Sequence, residues 1–219
     1  MLEHIIASIA PHACIQCARE PFPFCDPCIS LLQKSPECCY KCGKPARRGL
    51  CTSCGSSSSL SSISIRTVYD CPEAKTALRK LKFERLQALA RPLASAMAAD
   101  CPPGLITHVP TAPRRVRQRG YDQAQLIAKN LAHETNSQYK NIFIRTSSVR
   151  QLGQTRKVRQ QQLANIFQLR NKLPSQNMSI ILVDDVLTTG STVEAAAQVL
   201  RHAGYQEIHA CIFAWARPK

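Results

Sequence analysis

Apolar and polar positions divide this chain into a head with little hydrophobic pattern and a body with a regular one. From Ile63 to Tyr69 apolar and polar residues alternate, which predicts a half-buried strand. Glu73 to Ala99 is rich in helix formers, with Leu78, Leu81, Leu86, Leu89 and Leu93 on roughly one side. Pro92 is expected to break or kink that helix. Leu105 to Val109 predicts the next strand, Leu126, Ile127 and Leu131 mark the core face of a helix, and Ile142 to Ile144 is a short strand. Ile180 to Val183 has the length and β-branching of a buried parallel strand. A helix follows from about Val193, a turn falls at Gly204, and Ile208 to Phe213 is the last strand. Strands and helices alternate from 105 to 213, which predicts a parallel sheet with helices on both faces.

In open α/β sheets ligands bind at the carboxyl ends of strands, so those ends are where chemistry is sought. Val183 is followed at once by Asp184 and Asp185, then by Thr188, Thr189, Gly190, Ser191 and Thr192. A carboxylate only accepts hydrogen bonds, which suits a vicinal diol. The loop offers hydroxyls and backbone N–H groups, Gly190 lacks the Cβ that would hold a phosphate off, and the helix dipole adds positive potential there. Together these parts suit a sugar phosphate. A plain turn with Ser191 or Thr192 as N-cap is the bland alternative. Two like charges at the end of an apolar strand weigh against it, because they need a cationic or hydroxyl partner.

The end of the 105–109 strand leads into Arg114, Arg115, Arg117 and Arg119, four arginines in six residues. That density is high for a routine loop, and the guanidinium fork suits phosphate or pyrophosphate oxygens. A second cationic stretch runs from Arg145 to Arg159, and no acid occurs from Thr135 to Val183. It reads either as an active-site lid or as a solvated charged face.

At 219 residues the chain has room for one α/β domain of about 150 residues plus a small module. Lys and Arg total 29 against 14 acids, a net charge of +15, which points to a polyanionic partner or to a surface kept basic for solubility. Aromatics are only 5%, so stacking platforms for single-stranded nucleic acid are few. No apolar run reaches the length of a transmembrane helix. Met1 to Ala10 carries Glu3 and His4 and lacks the cationic start of a signal peptide. With Leu2, Ile5, Ile6 and Ile9 at helical spacing, it reads as a short helix packed on the body. A cytoplasmic protein is expected, with peripheral attachment to the inner membrane left open.

Nine of the twelve cysteines lie between positions 14 and 54, and eight of them form four C-x-x-C pairs. Cys14/Cys17, Cys25/Cys28, Cys39/Cys42 and Cys51/Cys54 each put two thiolates on one tight turn, as tetrahedral Zn²⁺ requires. The segment has too few large apolar residues for a core of its own, so metal must supply much of its folding free energy. A disulfide framework is the competing reading, and a cytoplasmic chain disfavours it. The spacing suggests two sequential Cys₄ sites. Interleaved pairing, a single site, and Cys38 in place of Cys39 stay open. Cys71, Cys101 and Cys211 have no partner at metal spacing. Lys44, Arg47 and Arg48 add positive charge to the head, which leaves nucleic-acid binding and simple bracing both open. Gly55 to Ser62 is a serine-rich linker by composition.

The stretch Ile180 to Thr192, IILVDDVLTTGST, resembles the 13-residue signature of type I phosphoribosyltransferases throughout. The resemblance implies a site for phosphoribosyl pyrophosphate (PRPP), with Asp184 and Asp185 on the ribose hydroxyls and Thr188, Thr189, Gly190, Ser191 and Thr192 around the 5′-phosphate. Taken with the multi-C-x-x-C head, the basic Leu81-Lys82-Phe83 segment and an arginine loop ending Arg119-Gly120-Tyr121-Asp122-Gln123-Ala124, nearly the whole chain is similar to the ComF family. That family usually reads R-G-F-N-Q-A, so Tyr121 and Asp122 depart from it.

The resemblance implies an α/β fold of the type I phosphoribosyltransferase kind, a parallel sheet flanked by helices behind a Cys-rich double zinc ribbon. The implied division is a ribbon over 1–55, a linker over 56–62, and a phosphoribosyltransferase-like domain over 63–219, whose 63–104 part is hood-like and whose 105–219 part is the core. The implied role is handling single-stranded DNA during natural transformation, with PRPP, single-stranded DNA and, as an open option, other DNA-uptake proteins as partners. Two alternatives stand beside it. One is a transferase moving phosphoribose from PRPP to an unknown acceptor, with Mg²⁺ on the diphosphate and Arg114, Arg115, Arg117, Arg119 and Arg159 on the leaving pyrophosphate. The other is a PRPP-sensing regulator without chemistry.

Overall fold

The structure, a computed structural model, describes residues 12–146, 166–171, 173 and 175–217. The expected N-terminal helix and most of the expected lid, Arg159 included, lie outside the described residues. Four strands form one parallel sheet in the order β1 (Ser62–Val68), β6 (Ile208–Trp215), β5 (Ile180–Leu187) and β2 (Leu105–His108). Two buried apolar clusters lie on its two faces. One gathers Ile181, Val183, Cys211 and Phe213 with the helices α3 (Pro72–Phe83), α4 (Ala90–Ala98) and α6 (Gln123–Glu134). The other gathers Ile180, Leu182, Ala210 and Ile212 with α7 (Ser191–His202). Successive residues of β5 thus go to opposite layers, as the pleat dictates.

Three expectations are corrected. The helix expected over 73–99 is two helices and a short 3₁₀ turn, Gln87–Leu89. The break falls at Glu84 to Leu86, where Arg85 takes φ +57°. Pro92 does not break the chain, because it sits in the first turn of α4, where its missing N–H is no loss. The strand near 142–144 is β3 (Phe143–Arg145), and it does not join the sheet. It pairs antiparallel with β4 (Phe167–Leu169), with Phe143 against Phe167 at a centroid distance of 5.7 Å. Finally, β5 does not end before the acids. It continues through Leu187, and Asp184 lies opposite Ile212 of β6. β2 ends at His108, opposite Val183, so the acid pair stands where β5 has lost one neighbour and kept the other.

The Cys-rich head grips the sheet by its edge. β1 is an edge strand, and an uncovered edge is a template for aggregation. Here the Ser35 N–H donates to the Arg66 carbonyl, the Ile63 N–H to the Arg48 carbonyl, and the Thr67 hydroxyl to the Gln33 carbonyl at 2.6 Å. Among the described residues the head has only two short helices, α1 (Asp26–Ser30) and α2 (Thr52–Gly55). Phe24 and Leu32 enter the apolar cluster of α4 and α6, while Tyr40 and Leu60 enter that of α7. The head therefore straddles β1 and reaches both layers. Among the described residues no helix is long and apolar enough to cross a membrane.

Candidate functional site

Asp184 and Asp185 face different surroundings. Asp185 is buried, its carboxylate forms an ion pair with Lys82 at the end of α3, and the Gln123 amide approaches at 3.5 Å. Burial alone would raise the Asp185 pKa, but Lys82 outweighs it and holds the carboxyl below its usual range. Asp184 accepts the Asp185 N–H at 2.8 Å. Burial and then the Asp185 charge push Asp184 well above the ordinary carboxylate range. Lys82 thus holds one acid as an anion, while burial and that anion oppose ionisation of its neighbour, so each has a different role open to it.

Lys82 was not singled out from the sequence, where a solvated face is the default for the cations of α3. That default holds for Arg79 and Lys80, which pair with exposed Glu84. It fails for Lys82, whose side chain is 17% exposed. The signal was present: Lys82 lies four positions after Leu78, so it borders the stripe formed by Ala74, Ala77, Leu78 and Leu81.

The arginine segment is a helix, α5 (Pro113–Arg119), and not a loop. Pro113 occupies the first turn, and Gly120 ends it at φ +87°. This is the usual asymmetry of helix ends. The four arginines separate into two groups. Arg119 donates to the Gln123 side chain at 2.7 Å and lies over the Phe83 ring at 5.4 Å. Because Gln123 also meets Asp185, Arg119 is wired to the acid pair. Arg114, Arg115 and Arg117 are exposed and form no ion pair among the described residues. The first residue of the second cationic stretch joins the site from β3. Arg145 donates to the Pro110 carbonyl at 2.7 Å, lies over Phe167 at 5.3 Å, and feels the Asp184 charge.

The two departures from the family pattern have local explanations. The Tyr121 hydroxyl donates to the Leu81 carbonyl, which ties the end of α5 to the turn that carries Lys82. Asp122 is the N-cap of α6, accepting from Ala124 N at 3.0 Å and Gln125 N at 3.3 Å. The same carboxylate takes the Thr111 N–H at 2.7 Å and the Thr111 hydroxyl at 2.9 Å. All four partners are donors, which only a carboxylate can satisfy. Asp122→Asn should turn an amide N–H toward one of them. Its expected cost is about 1–3 kcal/mol, measured by urea denaturation. A stability equal to wild type would show that the cap is not limiting.

In the 188–192 loop Gly190 has φ +78° and caps α7, and the Thr189 and Ser191 hydroxyls lie 2.9 Å apart. A Cβ at Gly190 would run into the ring of Tyr40, a residue of the head. Beside it, Glu194 in the first turn of α7 is fully engaged. It accepts from the Tyr40 hydroxyl at 2.6 Å, the Ser58 hydroxyl at 2.5 Å and the Ser59 N–H at 3.0 Å, and pairs with Lys41 at 2.7 Å. Burial opposes its ionisation, but Lys41, Ser58 and Tyr40 outweigh burial and hold its pKa below the usual range. The serine-rich stretch is therefore pinned to the body, with Arg201 also donating to the Ser59 carbonyl.

The eight paired cysteines gather in sequential sets, Cys14/Cys17/Cys25/Cys28 and Cys39/Cys42/Cys51/Cys54, with the four sulfurs of each set all within 4.8 Å of one another. Cys17 and Cys25 are 3.6 Å apart, as are Cys42 and Cys51. A tetrahedron of thiolates about 2.3 Å from one ion has edges of roughly 3.8 Å, so both sets fit zinc. Cys38 stands outside them and forms a backbone bridge with Pro45. Like charge splits each set. Burial opposes ionisation of Cys39, yet backbone N–H groups of Cys51, Lys41 and Cys42 draw it down to about 6, while Cys42 and Cys51 push Cys54 up to about 12. A divalent cation would relieve that repulsion.

Comparison with known proteins agrees with this geometry. The phosphoribosyl transferase domain family matches residues 116–219. The DNA utilization protein YhgH of Salmonella typhimurium is 29% identical over 198 residues, covering 82% of this chain and 85% of its own. Competence protein F of Haemophilus influenzae is 35% identical over 111 residues, 48% of each chain. Competence protein ComFC of Bacillus subtilis is 28% identical over 196 residues, covering 82% of this chain and 78% of its own. The chain is similar to the ComF competence proteins nearly throughout and carries a phosphoribosyl transferase domain. Its fold is the phosphoribosyltransferase one, and the two Cys₄ sets fit a double zinc ribbon.

Proposed function

We propose that this protein is a ComF-type competence protein that binds PRPP at the carboxyl end of β5 and handles single-stranded DNA. The observation that carries the reading is the unlike acid pair standing between Lys82 and the 188–192 loop. Asp184 and Asp185 would take the ribose 2′- and 3′-hydroxyls, and Thr188, Thr189, Gly190, Ser191 and Thr192 the 5′-phosphate. Arg119, joined to Asp185 through Gln123, and Arg145, which feels the Asp184 charge, would meet the diphosphate. Mg²⁺ bound with PRPP would neutralise the diphosphate, while this chain's own residues orient the sugar. Zinc in both Cys₄ sets would brace the head against β1. The names of its relatives support the DNA role, and the basic charge supports a polyanionic partner.

Arg114, Arg115 and Arg117 are exposed, close-set and without carboxylate partners among the described residues, which suits backbone phosphates better than a buried ligand. DNA binding should then be driven by counterion release. Replacing the three by alanine should weaken binding of a labelled single-stranded oligonucleotide and lower the slope of log K against log salt by about 2, at about 0.7 per lost phosphate contact. PRPP binding should change much less. Anisotropy titrations at several salt concentrations test this, and an unchanged slope would remove α5 from the DNA path. Calorimetric titration of PRPP with Mg²⁺ tests the sugar-phosphate site separately.

A further inference from the structure

The second Cys₄ set touches the phosphate loop through residues inside its own metal-binding turn. Tyr40 and Lys41 are the two residues between Cys39 and Cys42. Both reach Glu194, the tyrosine by a hydrogen bond of 2.6 Å and the lysine by an ion pair of 2.7 Å. The Tyr40 ring also lies against Gly190, where only a glycine fits. The turn is fixed by backbone bonds from Tyr40 N to the Gly49 carbonyl at 3.0 Å and from Cys39 N to the Lys44 carbonyl at 2.7 Å. Four thiolates on one ion would fix it further.

A carboxylate in the first turn of α7 is an odd neighbour for a phosphate. It complements the helix dipole and so competes with an incoming anion for the same positive end. With Lys41 against it and three donors on its oxygens, Glu194 is neutralised and turned toward the head. If the Cys39–Cys42 turn lost its metal, Tyr40 and Lys41 would lose their fixed positions. Glu194 would become a free anion beside the loop, and Gly190 would lose its packing partner. We propose that Tyr40 and Lys41 are positioning residues for the phosphate loop, so that metal in the Cys39/Cys42/Cys51/Cys54 set raises the affinity of the loop for a phosphate monoester. This rests on the reading of residues 188–192 as the 5′-phosphate site.

The test uses the full chain with its zinc and ribose 5-phosphate as probe, which avoids the metal-binding diphosphate. Lys41→Met keeps all eight thiols and should retain zinc while binding ribose 5-phosphate roughly three- to tenfold more weakly. Adding Glu194→Gln removes the uncompensated charge and should restore much of the loss, a rescue that a merely structural lysine would not show. Lys44→Met, an equal loss of charge elsewhere on the head, should bind as wild type. Coupling is reciprocal, so saturating ribose 5-phosphate should tighten one zinc equivalent against a competing chelator, and Lys41→Met should abolish that effect. Wild-type affinity in Lys41→Met, together with a zinc affinity indifferent to the sugar phosphate, would overturn the proposal alone. Failure of the wild-type protein to bind either ribose 5-phosphate or PRPP would overturn the site reading, and the coupling would fall with it.

Discussion

Changing Asp184 and Asp185 together to asparagine is expected to weaken PRPP binding by roughly a hundredfold or more, since each hydrogen bond to a charged group contributes about 1.5–3 kcal/mol. The single changes should differ in what else they do. Asp184 is half-buried beside another anion and its pKa is raised, so Asp184→Asn should leave stability unchanged or improved. Asp185 is the counter-ion of Lys82, so Asp185→Asn leaves a largely buried ammonium without its partner and should destabilise the fold by about 3–5 kcal/mol. Calorimetry for PRPP and denaturant melts for stability separate the two. Unchanged PRPP affinity in Asp184→Asn, with the fold intact, would take the ribose assignment away from this residue.

The same pair predicts opposite pH dependences. The folded pKa of Asp184 lies above its unfolded one, so its contribution to stability is fully present below the ordinary carboxylate pKa and is lost as pH rises toward the raised value. The folded pKa of Asp185 lies below its unfolded one. Its contribution is present above the ordinary carboxylate pKa and is lost as pH falls through the depressed value. As an acceptor for a ribose hydroxyl, Asp184 works best ionised. PRPP affinity should therefore climb with pH as Asp184 loses its proton, and the climb should flatten in Asp184→Asn. The change in the phosphate's own ionisation is common to both proteins and drops out of the comparison.

What could be read from the sequence was local. Strand, acid pair, hydroxyl loop and helix follow one another in thirteen residues, and each C-x-x-C pair is a single turn. Their chemistry is visible because the chain itself places the groups together. Partnerships across the fold were not visible. Lys82 and Asp185 are far apart in sequence, and a lysine beside a leucine stripe looks the same whether it meets water or a carboxylate. Glu194 reads as an ordinary first-turn acid until Tyr40, 154 residues away, is seen to hold it. In the sequence Asp122 is only a departure from the R-G-F-N-Q-A pattern. Its value lies in four donors from Thr111 and the start of α6 that only the folded backbone brings together. The antiparallel pair β3–β4 was hidden because three-residue strands carry almost no period.

Stripping both metals should have the largest effect on stability of any single treatment. Structural zinc in small Cys-rich peptides contributes on the order of 10–16 kcal/mol, as much as a whole domain commonly has. The head has little else. Helices of five and four residues do not stand alone in water, and its few large buried side chains, Phe24, Leu32, Tyr40 and Leu60, are divided between the two faces of a sheet it does not belong to. Excess chelator should therefore open residues 12–60 to protease while zinc leaves the protein in parallel. The loss should spread beyond the head. Once the bonds from Ser35 and Ile63 to Arg66 and Arg48 are gone, β1 becomes a bare edge, and light scattering should rise with protein concentration. Cys17→Ser and Cys42→Ser should each move partway along this course. Freshly purified protein that holds no zinc, resists protease over 12–60 and shows no rise in light scattering would show that the sheet alone fixes the head, with the thiols as bystanders.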